Sequence, residues 1–440
     1  MLREICGWGR HPRVEAHETR DEDLVRASLE PALFRGLGRS YGDASLPVRP
    51  GGRVVSTSRA DRILAFDPGT GVLRAEAGLS VAALNRVFLE RGFAPPVVPG
   101  TQFVTLGGLV ACDVHGKNHH SEGTFGRHVR SLRMRVADGR ILEVSEATEP
   151  ELFAATQGGI GLTGQILEVE LKLRRVPSPW IRAETRAFPD IDSLVAGLRE
   201  VSERSPYTMA WSDTSARGRA LGRGILSWGD WAEPGEAKAK PPRWRAPVEM
   251  PIDLPSGLIA PWSIRAFNSL YYFTHARART RIQHPLAFFH PLDVVGHWNR
   301  AYGGRGFVQY QCVVPIDRDP AIMRRIFEIL ERNGGASPVT VVKDFGEEGR
   351  GLLSFPRRGI TIALDFPMRG ARTQRLVDRL NDEVAAAGGR IYLAKDALTR
   401  RQHFEAMEHR LSAWSDVRRK WDPDGRFKSA LSVRLFGDSP

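Results

Sequence analysis

Residues 99–126 read PGTQFVTLGGLVACDVHGKNHHSEGTFG, which sets six glycines, three histidines and one lysine into 28 positions. Glycine at that density weakens any long helix or strand, so the chain must turn here or approach another group closely. A second cluster, RGLGRSYGD at 35–43, lies upstream, and a third, GGIGLTG at 158–164, lies downstream. Three readings compete for the central stretch: a metal site, a loop that cradles phosphate, and a glycine-rich turn cluster.

The metal reading is the weakest. His115 and His119 are four apart, which suits zinc only on a helix, and Gly116 with its neighbouring glycines argues against one. No carboxylate completes a familiar spacing, so no metal is expected. Phosphate cradling fits better, because backbone N–H groups without a Cβ can approach a pyrophosphate. His115 and Lys117 supply polar and cationic groups beside those turns. No GxGxxG opens a helix at the right distance from an acid, so a nicotinamide-type dinucleotide fold is not indicated. One loop alone would be read as a structural turn; three together point to a bound dinucleotide.

The chain has 440 residues, enough for two domains or for one with a large insertion. Its formal net charge of +12 favours anionic partners, although a coding bias toward arginine would give the same balance. No basic tract with interleaved aromatics appears, so nucleic acid is not expected as a partner. Cys6, Cys112 and Cys312 fit no zinc spacing and suit a reducing compartment. Neither a signal-peptide core nor a membrane-length apolar run is visible, so the expectation is a soluble or peripheral protein.

Residues 72–78 read as a strand leading into a helix over 80–92, with Ser80 as N-cap and Gly92 as terminator. Residues 131–144 alternate about Asp138-Gly139 and predict a hairpin. A short helix is expected at 151–157 and an alternating strand at 166–176. Pro177 and Pro179 mark a boundary. Residues 307–315 and 359–367 predict strands, with a helix over 321–334. Met407, Leu411, Trp414 and Val417 predict a single helical stripe ended by Pro423. The fold class expected is α+β, with an antiparallel sheet covered by helices. The stretch 231–257 is rich in Pro and charge and predicts a mobile excursion, extended here to about 275.

RGLGRSYGD, PGTQFVTLGG, HGKNHH and GGIGLTG, in that order, resemble flavoenzymes of the vanillyl-alcohol oxidase type. HPLDVVGHWNRAYGGRGFVQYQCVVP at 290–315, YLAKDALT at 392–399 and VRRKWDPDGRF at 417–427 narrow the resemblance to the decaprenylphosphoryl-β-D-ribose 2'-oxidase family. It runs from about residue 30 to the end. The resemblance implies a two-part, PCMH-type FAD-binding domain at 1–178 and 390–440, with an inserted substrate domain at 179–389.

On the same resemblance, Phe34, Arg35, Gly36, Leu37, Gly38, Arg39, Ser40, Tyr41, Gly42, Asp43 and Ala44 would wrap the FAD pyrophosphate. Gly100, Thr105, Leu106, Gly107, Gly108, Cys112, Asp113, Val114 and His115 would line the cofactor, and Ile166 and Tyr392 would touch it. Some relatives attach flavin through a histidine in the first loop; Arg39 stands there and the loop has no histidine, so noncovalent FAD is expected.

Oxidising a secondary alcohol needs a base for the hydroxyl proton, an electron acceptor, and a cation for the charge that develops on it. Lys395 matches the family's lysine beside flavin and substrate. Lys117, Tyr41 and His115 are the further catalytic candidates. Gln309 and Gln311 share one strand face and match substrate-facing glutamines; with Lys343, Lys117 and Lys395 they form the expected substrate set. Asp365 is expected to be a charge partner at most. Ala363 stands where the best-known members carry a cysteine, so that thiol is not required.

The activity implied is oxidation of C2 of a polyprenyl-phosphoryl pentose, the first half of an epimerisation that serves arabinan and cell-wall synthesis. A separate NAD(P)H-dependent ketoreductase would complete it. A cytoplasmic location is expected, with contact at the inner membrane face. The alternatives are a soluble-sugar or alditol oxidase and a flavin-free protein that binds an anionic glycolipid.

Overall fold

The structure, a computed structural model, describes residues 2–255 and 257–440. Three main sheets organise the chain, and its mixture of helices and strands is α+β. A four-stranded sheet joins Leu2–Cys6, Arg13–Arg20, Gly52–Ser56 and Leu33–Arg35 in that spatial order. A five-stranded antiparallel sheet runs Ile63–Asp67, Val72–Glu76, Gln165–Lys172, Val129–Arg135 and Ile141–Ser145. The 129–145 hairpin turns at Gly139, where φ is +91°. Val169, Leu171 and Leu173 are buried together in the core of this sheet.

The helix Val81–Phe88 begins as its sequence predicts. Ser80 accepts from the amide of Ala83, and Gly92 closes the following turn at φ +79°. One expectation fails at TLGG. The segment is not a loop: Leu106–Ala111 is helical, capped by Thr105, whose hydroxyl accepts from Gly108 N. Glycine sits in this helix for packing, since a Cβ on Gly107 would lie 3.0 Å from the Ala77 Cβ.

The third sheet has eight antiparallel strands: Arg279–Gln283, Ile181–Phe188, Gly224–Trp231, Tyr207–Ser212, Thr340–Phe345, Gly359–Pro367, Phe307–Val314 and Arg390–Ile391. Period-two alternation gives its central strands two different faces. Val308, Tyr310, Cys312, Val314, Ile360, Ile362 and Leu364 pack into a core with the helices Ile191–Ser202, Ile322–Asn333 and Ala371–Ala386. Ile322, Met323, Ile326, Phe327 and Leu330 are the buried stripe of the second helix; burying each large aliphatic or aromatic side chain there contributes about 1.5–3 kcal/mol. The opposite face carries Gln309, Gln311, Thr361, Ala363, Asp365 and Lys343.

The C-terminal segment departs from its expected form. The stripe from Met407 to Val417 is not one helix; it divides into Arg401–Met407 and Leu411–Trp421. Buried Glu408 pairs with Arg410 at 2.6 Å, and this ion pair sits at the break. Met407 consequently packs into the core of the eight-stranded sheet, whereas Trp414 packs against Leu162 and donates to Ala155 O at 2.9 Å. The chain thus returns to the helix Pro150–Thr156 of the first region.

The expected excursion is also more structured than its composition suggests. Residues 231–247 contain no regular element beyond the end of one strand, but Pro261–His275 forms a fifteen-residue helix.

Candidate active site

Glycine 42 fixes the relation between two distant parts of the chain. A Cβ there would lie 1.9 Å from the carbonyl oxygen of Asp396, so the 36–44 loop packs directly on the turn that carries Lys395. Tyr41 N donates to Ala394 O at 2.8 Å. Beneath that contact, Arg434 bridges Asp43 and Asp396, each at 2.7 Å. The result places the Lys395 ammonium 3.9 Å from the centre of the Tyr41 ring.

The loop divides its labour by direction. Arg35 turns inward and donates to Ser45 Oγ at 2.7 Å and Cys6 O at 2.6 Å. Asp43 is held by Arg434, and Ala44 is buried in the core. These residues, expected to meet a cofactor, brace the loop through their side chains. Leu37 is exposed, and Phe34 is half-buried against its own sheet. Arg39 stacks on Trp8 at 3.7 Å. The backbone amides of 36–40 find no acceptor among the described residues. Gly36 abuts Thr105, whose Oγ1 would lie 2.3 Å from an added Cβ, which joins this loop to the start of the Leu106–Ala111 helix.

Past that helix the chain enters the site. Tyr392 donates to Cys112 O at 3.2 Å, and burial raises the Cys112 thiol to about 11. Asp113 is fully buried, but its carboxylate faces away from this region: it accepts from Gly126 N at 3.0 Å and from Ser354 Oγ. Val114 is half-buried in the core of the five-stranded sheet, and Ile166 is buried in that same core with Leu106. Gly100 is exposed, and a Cβ added there would meet nothing within 4 Å.

His115 packs among Phe345, Phe355 and Tyr392, with ring centres 4.8, 5.5 and 4.8 Å away. Burial, then the charge of Lys343, holds it well below the usual imidazole range. Its Nε2 lies 2.9 Å from Gln311 Nε2. The amide is the donor, so Nδ1 carries the proton, and Nδ1 is buried without a partner among the described residues. The three histidines do not converge: His119 Nδ1 accepts from Gly346 N at 3.2 Å, and His120 Nε2 meets Ser205 O at 2.8 Å.

Strand register assembles the opposite wall. Gln309 pairs with Asp365, Gln311 with Ala363, and Lys343 with Thr361. Gln309 donates to Asp365 at 2.5 Å, and Tyr302 donates to the other carboxylate oxygen at 3.3 Å. Gln311 also donates to Thr361 Oγ1 at 3.1 Å. Both glutamines are buried, so they do not form a solvent face. Asp365 thus accepts from two side chains of this wall in addition to lying near the Lys395 charge. Its place opposite Gln309 follows from pairing 307–315 against 359–367 in the correct register.

Three lysines approach this wall, and they are not equivalent. Lys117 is buried and donates to Phe288 O at 2.7 Å and Phe289 O at 2.8 Å. Two of its three protons tie down a distant segment, leaving one for any ligand. Lys343 and Lys395 donate no hydrogen bond to the chain among the described residues, and both keep partial solvent access. Burial lowers Lys343 to about 8. Burial lowers Lys395 to about 7, Asp365 opposes that shift, and Lys343 adds to it. Asp365 is raised by burial to about 7.

The arrangement fits a bound dinucleotide with an anionic centre. It offers a row of amides at 36–40 and two half-buried ammonium groups that donate no hydrogen bond among the described residues, with a buried His115 Nδ1 that also finds no partner there. Each is a donor open to a ligand, and the buried one requires a partner.

Comparison with known proteins agrees. A family described as an FAD binding domain matches residues 23–145. The chain is an FAD-dependent oxidoreductase. It is 36% identical over 451 aligned residues to decaprenylphosphoryl-beta-D-ribose oxidase of Mycolicibacterium smegmatis, covering 98% of this chain and 97% of that one. A protein from the mprA 5' region of Streptomyces coelicolor is 35% identical over 81% of this chain and 100% of its own. L-gulonolactone oxidase of Bos taurus is 30% identical over 40% of each chain. The chain belongs to the decaprenylphosphoryl-β-D-ribose oxidase family.

Proposed function

We propose that this enzyme oxidises a secondary hydroxyl of a sugar to a ketone, at C2 of a polyprenyl-phosphoryl pentose, using noncovalent FAD. The observation that carries the reading is similarity along almost the whole chain, together with the convergence of Gln309, Gln311, Lys343 and Lys395 on one wall. In this reading 1–178 and 390–440 form a two-part, PCMH-type cofactor domain, and 179–389 is an inserted substrate domain.

The 36–40 amides would hold the pyrophosphate, with Thr105–Gly108 and Cys112–His115 along the cofactor and Tyr392 and Ile166 as apolar support. FAD, when bound, supplies a two-electron acceptor for the alcohol carbon. Lys395 Nζ holds positive charge where negative charge develops. Its lowered pKa also lets the same nitrogen exchange a proton near neutral pH. Asp365 opposes neutralisation of Lys395 and orients Gln309. Gln311, braced by Thr361, positions the sugar with His115 behind it. Lys343 offers an ammonium for the substrate phosphate. Tyr41 packs against Lys395 and shields one side of it from water. Lys117 supports the site by anchoring residues 288–289 and keeps one proton for the ligand.

A separate NAD(P)H-dependent ketoreductase would complete an epimerisation. No described helix is long and apolar enough to cross a membrane; a cytoplasmic enzyme that meets its lipid-linked substrate at the inner membrane face fits this reading. Noncovalent attachment rests on Arg39 in the first loop, and acid precipitation should release the flavin into the supernatant. The partial similarity to L-gulonolactone oxidase supports the second reading, a soluble-sugar or alditol oxidase. Anaerobic flavin bleaching separates the two. Bleaching by a polyprenyl-phosphoryl ribose and not by free sugars or alditols is expected; the reverse pattern would overturn the proposal.

A further inference from the structure

The helix Pro261–His275 is attached by one side only. Asn268 is fully buried and donates to Asp213 at 2.9 Å and to Ser337 O at 3.1 Å. Ile264 is buried, and Tyr271 packs on Trp211 at 4.6 Å. The other side is largely uncovered, although the Arg223 guanidinium lies 5.2 Å from the centre of the Phe273 ring. Trp262 is 71% exposed, Leu270 66%, Phe273 68% and Phe267 51%. Leu258, three residues before the helix, is exposed as well. Four exposed large apolar side chains along one side of a single helix depart from a surface of singly scattered ones.

Along the helix and the strand that follows it, charge is of one sign. Residues 254–292 contain no Asp or Glu, yet they contain Arg265, Arg277, Arg279 and Arg281. None of these four arginines pairs with a carboxylate among the described residues, whereas arginines elsewhere are widely paired. Arg279 and Arg281 lie on the outermost strand of the eight-stranded sheet, directly after the helix, and both are exposed. Aromatic and leucine side chains beside unpaired arginines, without acids, match the chemistry of an anionic bilayer surface: the apolar groups enter the headgroup boundary and the guanidinium groups meet phosphates.

The patch is continuous with the site. Ile259, at the entrance to the helix, packs against the cluster that Tyr41 forms with Trp8, Tyr302 and Phe307, and the Tyr41 ring carries the Lys395 ammonium. We propose that the outer face of Pro261–His275, with Arg277, Arg279 and Arg281, seats this enzyme on an anionic lipid surface and presents its active-site entrance to the bilayer. The inference deepens the lipid-linked reading above and rests on it for the purpose of the surface.

The test uses the full FAD-loaded enzyme and vesicles of phosphatidylcholine with roughly one-third phosphatidylglycerol. Binding is measured by flotation without substrate. Wild type should float with these vesicles and bind pure phosphatidylcholine more weakly, and added salt should release it. The triple variant Trp262→Ser, Leu270→Ser, Phe273→Ser should lose roughly tenfold or more in partitioning. Replacing Arg277, Arg279 and Arg281 by Gln should cost about fivefold per arginine at low salt. Both variants should keep wild-type turnover of a short-chain, water-soluble phosphoryl-ribose substrate. Vesicle binding by the triple variant equal to wild type would overturn the proposal. So would loss of a wild-type oligomer in the triple variant with flotation unchanged, which would assign the face to a second copy. Normal flotation with no oxidation of any phosphoryl-pentose would leave the surface assigned and refute the substrate reading instead.

Discussion

The two walls of the site are built by different means. The wall formed by 34–44 and 105–115 is made of backbone: glycines allow close approach, side chains such as Arg35 and Asp43 turn inward as braces, and amides face outward. The wall formed by the 307–314, 340–345 and 359–367 strands is made of side chains in register. A backbone wall recognises what every molecule of one cofactor shares. A side-chain wall is changed by single substitutions, as Ala363 illustrates. The family match at 23–145 contains the first wall and stops before the second, whereas the full-length relatives span both. The proposed function assigns substrate choice to the second wall and cofactor retention to the first.

That division is open to direct tests. The largest effect should come from Gly42→Ala. An added Cβ would lie 1.9 Å from Asp396 O, and backbone on both sides cannot yield cheaply. The purified variant should contain little or no flavin, measured as the ratio of visible to ultraviolet absorbance. Gly100→Ala, where no atom lies within 4 Å of the new carbon, should keep its flavin. Full flavin in Gly42→Ala would show that the loop is not held as described.

Next in size is Lys395→Ala. FAD should stay bound, because the 36–40 amides are untouched, but anaerobic flavin reduction should slow by on the order of 100-fold or more. Lys395→Arg should rescue only in part, since a planar guanidinium does not replace a compact ammonium. Reduction within a few-fold of wild type in Lys395→Ala would move the charge-stabilising role elsewhere, with Lys343 the next lysine to examine.

A smaller effect is expected at the side-chain wall. Gln311→Ala removes donors to His115 and Thr361 but no charge. Loss of one neutral hydrogen-bonding group costs about 0.5–1.5 kcal/mol, or roughly threefold to tenfold. It should appear in the substrate concentration needed for half-maximal reduction, with the saturated rate near wild type. A large fall in the saturated rate instead would place Gln311 in the chemical step.

The same contrast explains what the sequence disclosed. The strands at 129–145, 307–314 and 359–367 were legible because each alternates between an apolar and a polar face. The cap at Ser80 and the stop at Gly92 were legible because caps are local. What stayed hidden was nonlocal. Asp365 faces Gln309 across 56 residues of chain. The two carbonyls that engage Lys117 lie 171 and 172 residues away, so HGKNHH marked the site without revealing that its lysine is mainly an anchor. Arg35 and Asp113 sat inside matching motifs, yet their partners, Cys6 O and Ser354, are remote. At the helix break Glu408 is buried beside Arg410, and no local pattern announces that burial.

The smallest effect concerns the strain of holding Lys395 ready. Its pKa falls from 10.5 to about 7, chiefly through burial. In flavin-free protein at or below about pH 7 the lysine is charged in folded and unfolded chains alike, and the folded chain bears the full cost of a buried ammonium. Between about 7 and 10.5 the unfolded chain binds this proton and the folded chain does not, so stability rises with pH across that window. Asp365 has the opposite sign: raised from 3.8 to about 7, it makes stability fall as pH climbs between those values. Their costs therefore coincide near neutrality, offset in part by mutual attraction. Lys395→Met keeps the stem and removes the charge. The flavin-free variant should be more stable than wild type at pH 7, by on the order of 1 kcal/mol, and the gap should close as pH approaches 10. Removing the lysine also raises Asp365 further, which closes the gap in the same direction. Urea unfolding at several pH values measures it. A gap that is constant with pH would mean that methionine stabilises by packing alone, and that the Lys395 ammonium is less strained in its cleft than its burial implies.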